Sequence, residues 1–282
     1  MKNIFFLLIT ALLFSCSKDD AETIIPPEEP PVTPNGTVKE STIERTIRFN
    51  TGTEESGHSV LTITERMQGD AAVVNKTETY TYNNDNQLTR HSTLQEYYPQ
   101  LSTSYERNLE YTENTVIVND TYGNVLTYTL NSDGYATTCK YQEGSQIFFY
   151  NFQYSDDKYL TSIQESISNN FLSRTDLLYK NGDLTSVTTF SNDIENTLLY
   201  EPGETMNVDK FPCIVLSETS PLSKHTEALY GGLLGKATEH HVIKIQPKGN
   251  NDEWTDFRYS VNESGNVTSV RMTTHYKGIV IP

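Results

Sequence analysis

Apolar and polar positions alternate along most of the chain with the period of a β-strand. Between Ile147 and Tyr154, the residues Phe148, Tyr150, Phe152 and Tyr154 fall on one face while Asn151 and Gln153 fall on the other. That is the alternation of a pleated strand with one face turned to a core. Leu126, Tyr128 and Leu130 alternate with Thr127 and Thr129 in the same way. The strands recur as a unit: aromatic-x-Tyr, a polar turn, then an apolar residue followed by Thr. One copy is Tyr80-Thr81-Tyr82, Asn83-Asn84-Asp85-Asn86 and Leu88-Thr89; another is Phe152-Gln153-Tyr154, Ser155-Asp156-Asp157-Lys158 and Leu160-Thr161-Ser162-Ile163. Leu177-Leu178-Tyr179 with Asn181-Gly182 and Leu184-Thr185-Ser186-Val187 is a third. Phe257-Arg258-Tyr259, a longer turn through Gly265, and Val267-Thr268-Ser269-Val270 form the last, and Tyr128, Asp133-Gly134 and Thr137 form a looser copy.

Each unit reads as a β-hairpin, because aromatic and β-branched side chains suit a pleated surface while Asn, Asp and Gly accept the positive φ of tight turns. Tyr154 and Tyr179 stand 25 positions apart, two strands plus two turns. Extended over the domain, that spacing predicts on the order of 14 to 18 antiparallel strands. The expected fold is all-β: a large antiparallel meander of hairpins, forming a water-soluble barrel or a curled sheet with Tyr and Phe on its inner face. One short helix is expected near 220–235. Ser220 caps it, Pro221 sits in its first turn, Leu222 to Leu234 continue it, and Gly231, Gly232 and Gly235 end it before a strand through Val242-Ile243-Lys244-Ile245.

The N-terminus follows another rule. Met1-Lys2-Asn3 precedes an apolar run of 11 positions from Ile4 to Phe14, and Ser15-Cys16 follows. A charged start, a short apolar stretch and a small residue before the cut define a secretory signal. A spanning helix needs about 20 residues, so the run is too short to remain in the bilayer. Leu13-Phe14-Ser15-Cys16 resembles a lipobox, which makes residues 1–15 a lipoprotein signal peptide and Cys16 the lipidated N-terminus. Acyl chains hold by burial at about 0.8 kcal/mol per CH₂. Ser17-Lys18-Asp19-Asp20 looks like the acidic export signal of surface lipoproteins. The expected address is therefore the outer membrane, lipid-anchored and exposed at the cell surface, with the periplasmic face as the alternative. From Cys16 to Thr37 the chain is polar and carries Pro26, Pro27, Pro30, Pro31 and Pro34, an extended tether. Residues 38–282 are expected to form a single antiparallel β domain.

Three features argue against a transmembrane barrel. The lipid anchor makes membrane-spanning strands unnecessary. Polar residues fall on both faces of most strands, as where Arg174 and Asp176 alternate with Ser173 and Thr175, whereas a lipid-facing strand needs one apolar face. The chain also closes on Ile281-Pro282, not on the aromatic residue usual for barrel insertion.

Composition narrows the chemistry. With 21 Lys and Arg against 37 Asp and Glu, the net charge is −16, and no basic cluster offsets it, so phosphate backbones are repelled and nucleic acid is excluded as a partner. Of the three cysteines, Cys139 and Cys213 are left after lipidation; they either pair as a disulfide in an oxidising compartment or pack as buried thiols. Six histidines raise the question of a metal, and Glu239-His240-His241 is the densest cluster. Adjacent strand residues point to opposite faces, so His240 and His241 would not share one ion. His58, His91, His225 and His275 show no ligand spacing, so no metal site is expected. There is no Gly-x-Ser-x-Gly elbow, Gly57-His58-Ser59 lacks the flanking pattern, and phosphate loops and dinucleotide fingerprints are missing, so neither a cofactor nor an enzyme is expected.

The aromatic-x-Tyr, turn, Leu-Thr-Ser-Ile units resemble a family of secreted Bacteroidetes lipoproteins of unknown function with a porin-like fold, and Leu229-Tyr230-Gly231-Gly232-Leu233-Leu234-Gly235-Lys236 looks like a segment typical of it. The hairpins are also distantly similar to the YD repeats of toxin shells. The resemblance implies a β-barrel and brings no catalytic residues.

What functional weight the sequence carries lies in its 18 tyrosines and 11 phenylalanines, which serve either as core or as stacking platforms. Trp254, the one tryptophan, follows a polar loop and is the candidate ligand contact. The leading expectation is a non-enzymatic module that binds glycan or protein at the cell surface. A structural or adhesion component of the envelope, and a hydrolase whose carboxylates meet only in the fold, stand beside it.

Overall fold

A computed structural model describes residues 40–54, 58–68, 74–97, 101–168, 170–192, 194–210 and 221–277. The expected signal peptide, Cys16, the expected export signal Ser17, Lys18, Asp19 and Asp20, the expected tether, and Cys213 lie outside the described residues.

Sixteen strands form one closed barrel. In chain order they are β1 (Glu40–Thr53), β2 (Ser59–Gln68), β3 (Val74–Tyr82), β4 (Leu88–Tyr97), β5 (Leu101–Tyr111), β6 (Thr115–Asp120), β7 (Val125–Leu130) and β8 (Ala136–Glu143). There follow β9 (Gln146–Tyr154), β10 (Leu160–Ile167), β11 (Asn170–Lys180), β12 (Asp183–Ser191), β13 (Ile194–Met206), β14 (His240–Pro247), β15 (Glu253–Val261) and β16 (Val267–Lys277). Every strand pairs with its neighbours in sequence, and β1 pairs antiparallel with β16 to close the ring. Of the two expected shapes, closed barrel and curled sheet, the chain adopts the first, which leaves no sheet edge along the ring.

Four of the hairpin turns share one design. Asn83, Asp120, Asn131 and Asn262 each accept, through the side-chain oxygen, the backbone N–H groups two and four residues ahead. Three of these belong to odd-strand hairpins and one, at Asp120, to the β6–β7 hairpin. The residue three positions ahead takes positive φ: Asn86, Gly123, Gly134 and Gly265. This is why the repeat reads Asn or Asp, two polar residues, then Asn or Gly.

The inner wall is the apolar face. Tyr80, Leu126, Tyr128, Tyr150, Phe152 and Ile163 are all buried. Phe148 and Tyr154 pack against the same cluster, so the face expected from the alternation does point inward. Outward, Lys140, Arg174, Gln164 and Arg258 are exposed in mid-strand, and Arg174 pairs with Asp176 along β11. Charge at this height makes a water-facing wall. No described helix is long and apolar enough to cross a membrane.

The expected helix is present but shorter. A 3-10 turn at Pro221–His225 runs into α1 (Thr226–Tyr230). Gly231 stops it, and Leu233 and Leu234 are buried beyond its end in non-helical chain.

Candidate functional site

The link from Met206 to His240 is the long connection of the meander, and its described part folds into the barrel as a plug. Leu222, His225, Glu227, Ala228, Leu233 and Leu234 are all buried. Backbone bonds tie it to the barrel mouth. The Ala136 N–H donates to the Leu233 carbonyl (2.8 Å), the Lys236 N–H to that of Lys158 (2.9 Å), and the Glu239 N–H to that of Gly182 (3.1 Å). Two glycines make the path possible. A Cβ on Gly231 would lie 2.7 Å from the Glu227 carbonyl oxygen, and one on Gly235, at φ +83°, 2.6 Å from that of Lys158.

The plug carries one carboxylate into the interior. Glu227 is fully buried; His91 Nδ1 on β4 lies 2.7 Å from its Oε1, and Arg107 Nη1 on β5 donates to both oxygens at 2.7 Å. Behind His91 stands Glu78, 3.5 Å from Nε2, and behind Glu78 stands Lys76 at 3.1 Å. Lys76, Glu78, His91, Glu227 and Arg107 thus form a chain of alternating sign. Burial pushes the Glu227 carboxyl up, but the His91 hydrogen bond and the Arg107 charge outweigh it and hold the group at about 2. Burial pushes the His91 imidazole down, while its bonds to Glu227 and Glu78 win and raise it.

His225 is the opposite case. Burial drives it down to about 3, so the ring is neutral. It hydrogen-bonds to the Tyr128 hydroxyl through Nδ1 (2.9 Å) and meets the rings of Tyr150 and Phe152 edge-on at 4.4 and 5.1 Å. A second fastening joins Lys224 Nζ to Glu165 on β10 at 2.7 Å, with the Tyr150 and Ser173 hydroxyls donating to the same carboxylate.

Among the described residues, recesses open to a ligand lie at the mouth and on the outer wall. At the mouth, beside the plug, is a recess of about 480 Å³ walled by Leu160, Leu177, Leu222 and Leu234, with Lys210 and Lys236 at its rim. A second recess of about 330 Å³ adjoins it across Leu229 and Gly232. On the outer wall, β5 outruns β6: only Arg107–Tyr111 pair with that strand, so Leu101–Glu106 extend past it. The β6–β7 turn folds against this step, its Thr121 N–H bonded to the Glu106 carbonyl at 3.0 Å. The result is a groove of about 650 Å³ with a floor of two side-chain rungs, Thr79–Ser92–Glu106 and Thr77–Leu94–Ser104, walled by Tyr122.

Residues 81–269, well over half of the chain, match the family described as "Domain of unknown function (DUF4595) with porin-like fold". The chain belongs to that family. A crystal structure of a porin-like protein from Bacteroides uniformis ATCC 8492 shares the fold, with a TM-score of 0.66 at 23% identity over 83% of this chain and 95% of that one. No curated protein matches the sequence. The family match takes in the whole plug, Leu229–Lys236 included.

Trp254 lies on the outer face of β15, half-buried. Its indole stacks on His275 at 4.5 Å and 6°, its Nε1 donates to Asp256, and the Lys244 and Lys277 ammonium groups lie 5.8 and 5.0 Å from the ring centre. Cys139 is buried on β8, and burial pushes its thiol up to about 12. His240 and His241 take separate partners, Asp183 by hydrogen bond and Tyr259 by stacking. Among the described residues no group of three or more His, Cys, Asp or Glu side chains is placed to hold a metal ion.

Sequence spacing gave no hint of the Glu227 cluster, because His91 and Glu227 stand 136 positions apart. The one usable signal was the helix itself: a short α segment inside a β meander must go somewhere, and a glutamate in its first turn needs a partner if it goes inward.

Proposed function

We propose that the protein is a non-enzymatic envelope lipoprotein, anchored through Cys16, that binds glycan through the groove on its outer wall. The observation that carries this reading is the composition of the groove. Its floor is lined by hydroxyls of Thr77, Thr79, Ser92 and Ser104, with the Glu106 carboxylate among them, and the exposed ring of Tyr122 stands at its side. Hydroxyls and a carboxylate exchange hydrogen bonds with sugar hydroxyls, and an exposed aromatic face packs against the C–H side of a pyranose. Glu106 is the one carboxylate among the lining residues. Glycoside hydrolysis ordinarily uses two facing carboxyl groups, so the groove suits retention of a sugar without its cleavage.

The address follows from the N-terminal pattern, with the acidic Ser17-Lys18-Asp19-Asp20 favouring the cell surface. A glycan array probed with the purified protein tests the binding reading. Hits are expected, and Tyr122→Ala should weaken them about tenfold, the worth of one aromatic contact. Tyr122 is 70% exposed, so the variant should fold normally. An array without hits, or hits indifferent to Tyr122→Ala, would sink the groove reading. Acyl labelling that persists in Cys16→Ala would overturn the anchor, and protection from protease in intact cells would move the protein to the periplasmic face.

A further inference from the structure

We infer that the recess beside the plug is a second binding site, one that takes a single-chain amphiphile with an anionic head. The walls are apolar and belong to the wall strands and the plug together. Leu160 opens β10, Leu177 lies on β11, and Leu222 and Leu234 come from the plug, each at most 6% exposed as a residue. At about 480 Å³ the recess falls within the range of roughly 300–1,000 Å³ typical of small-molecule sites. Tyr179 and Leu229 also line it, and apart from the two lysines its polar side chains are those of Thr238 and Glu239.

The rim has the opposite character. Lys210 and Lys236 are exposed, and among the described residues neither ammonium group has a carboxylate within ion-pair distance. Glu239, which also lines the recess, accepts from the Tyr159 hydroxyl (3.0 Å), and Asp209, which lines the adjoining recess, accepts from the Val267 N–H (2.6 Å). The lining of the recess thus carries two lysines against the single carboxylate of Glu239, a local excess of positive charge in a chain of net charge −16, and that favours an anion. An alkyl chain in the leucine-lined recess with its carboxylate between Lys210 and Lys236 meets both halves of the site. A sugar would leave the leucines unused, and a cationic amphiphile would meet the lysines head-on.

This inference does not rest on the glycan groove, which lies on the other side of the wall. Calorimetric titration of the purified protein tests it with three probes below their micelle concentrations: dodecanoate, dodecyltrimethylammonium and dodecyl maltoside. Dodecanoate is expected to bind with the highest affinity and one-to-one. Reversal of both charges, Lys210→Glu with Lys236→Glu, should weaken dodecanoate by about tenfold or more and leave the maltoside unchanged. Filling the recess with Ala237→Trp should abolish binding of all probes, with circular dichroism confirming that the barrel is intact. Equal binding of the cationic and anionic probes, or indifference of dodecanoate to the charge reversal, overturns the anionic assignment. Absence of binding by every probe overturns the site itself. Tyr122→Ala should have no effect in this assay, which separates its outcome from that of the glycan test.

Discussion

The plug is fastened to the wall by two ion pairs of the same length in different surroundings. Arg107 and Glu227 meet at 2.7 Å with side chains 15% and 0% exposed; Lys224 and Glu165 also meet at 2.7 Å, with 42% and 9%. Distance alone would rank them equal. In the first pair neither charge can recover water if the other is removed, whereas the Lys224 ammonium is already half in solvent. The first is therefore costly to break, and the second contributes little. Glu227 is also shared with His91, so the buried fastening spans two strands, β4 and β5.

The largest expected effect breaks the buried side of this comparison. Glu227→Gln keeps the shape of the side chain and removes its charge, leaving Arg107 without its carboxylate partner and His91 with Glu78 alone. The expected loss is about 3–5 kcal/mol, the usual cost of orphaning one partner of a buried pair. It is measured by urea unfolding followed by tyrosine fluorescence, with dodecanoate titration as a local readout of whether the plug still shapes the recess. A loss under 1 kcal/mol would mean that Glu227 is solvated in solution and that the two fastenings do not differ.

Next in size is a pH effect that separates His225 of the plug from His91 of the wall. His225 is held at about 3 against an ordinary 6.5, so below pH 6.5 the unfolded chain takes up a proton that the folded chain refuses. Stability should then fall by about 1.4 kcal/mol per pH unit as the pH drops. His91 is raised, so its contribution is complete below 6.5 and is lost as the pH climbs above that value. Glu227 is lowered to about 2 from 4.5, so its contribution is complete above 4.5 and fails only in stronger acid. Between pH 6.5 and 4.5 the slope belongs chiefly to His225, with a smaller part from His241, whose burial also lowers it. His225→Phe should flatten most of that slope in urea midpoints. A slope unchanged by the substitution would show that water reaches the ring.

The wall was legible in the sequence because its information is local. The period of two in Ile147–Tyr154 and the Asn-x-x-Asn or Asn-x-x-Gly turns each sit within about ten residues, and they led to the meander and the strand number. The closure of the ring has no local signal, since the β1–β16 pairing joins residues such as Ile47 and Val270 from opposite ends of the domain. The plug was half legible. Pro221 and the glycines marked a helix, but only the packing of Glu227 against His91 and Arg107 shows that it turns inward. The three residues carry no local signature: a His and an Arg on strand faces and a Glu in a helix look like surface residues until the fold brings them together. Trp254 is conspicuous as the one tryptophan, but its stacking on His275 is a matter of cross-strand register that composition does not reveal.

The smallest effect sharpens the exposed side. Lys224→Met removes the ammonium from Glu165 but leaves the Tyr150 and Ser173 hydroxyls donating to that carboxylate, so it retains two hydrogen bonds. The expected loss is at most about 1 kcal/mol, and it should shrink in about 1 M salt, where the screening length is near 3 Å. The Glu227→Gln loss should be nearly unchanged by salt, because ions do not reach the fully buried Glu227 carboxylate. A double-mutant cycle of Lys224→Met with Glu165→Gln isolates the coupling and should return about 0.5 kcal/mol, against several for Glu227→Gln with Arg107→Met. Matching couplings in the two cycles would mean that burial is not what distinguishes the pairs, and that the plug is held equally at both points.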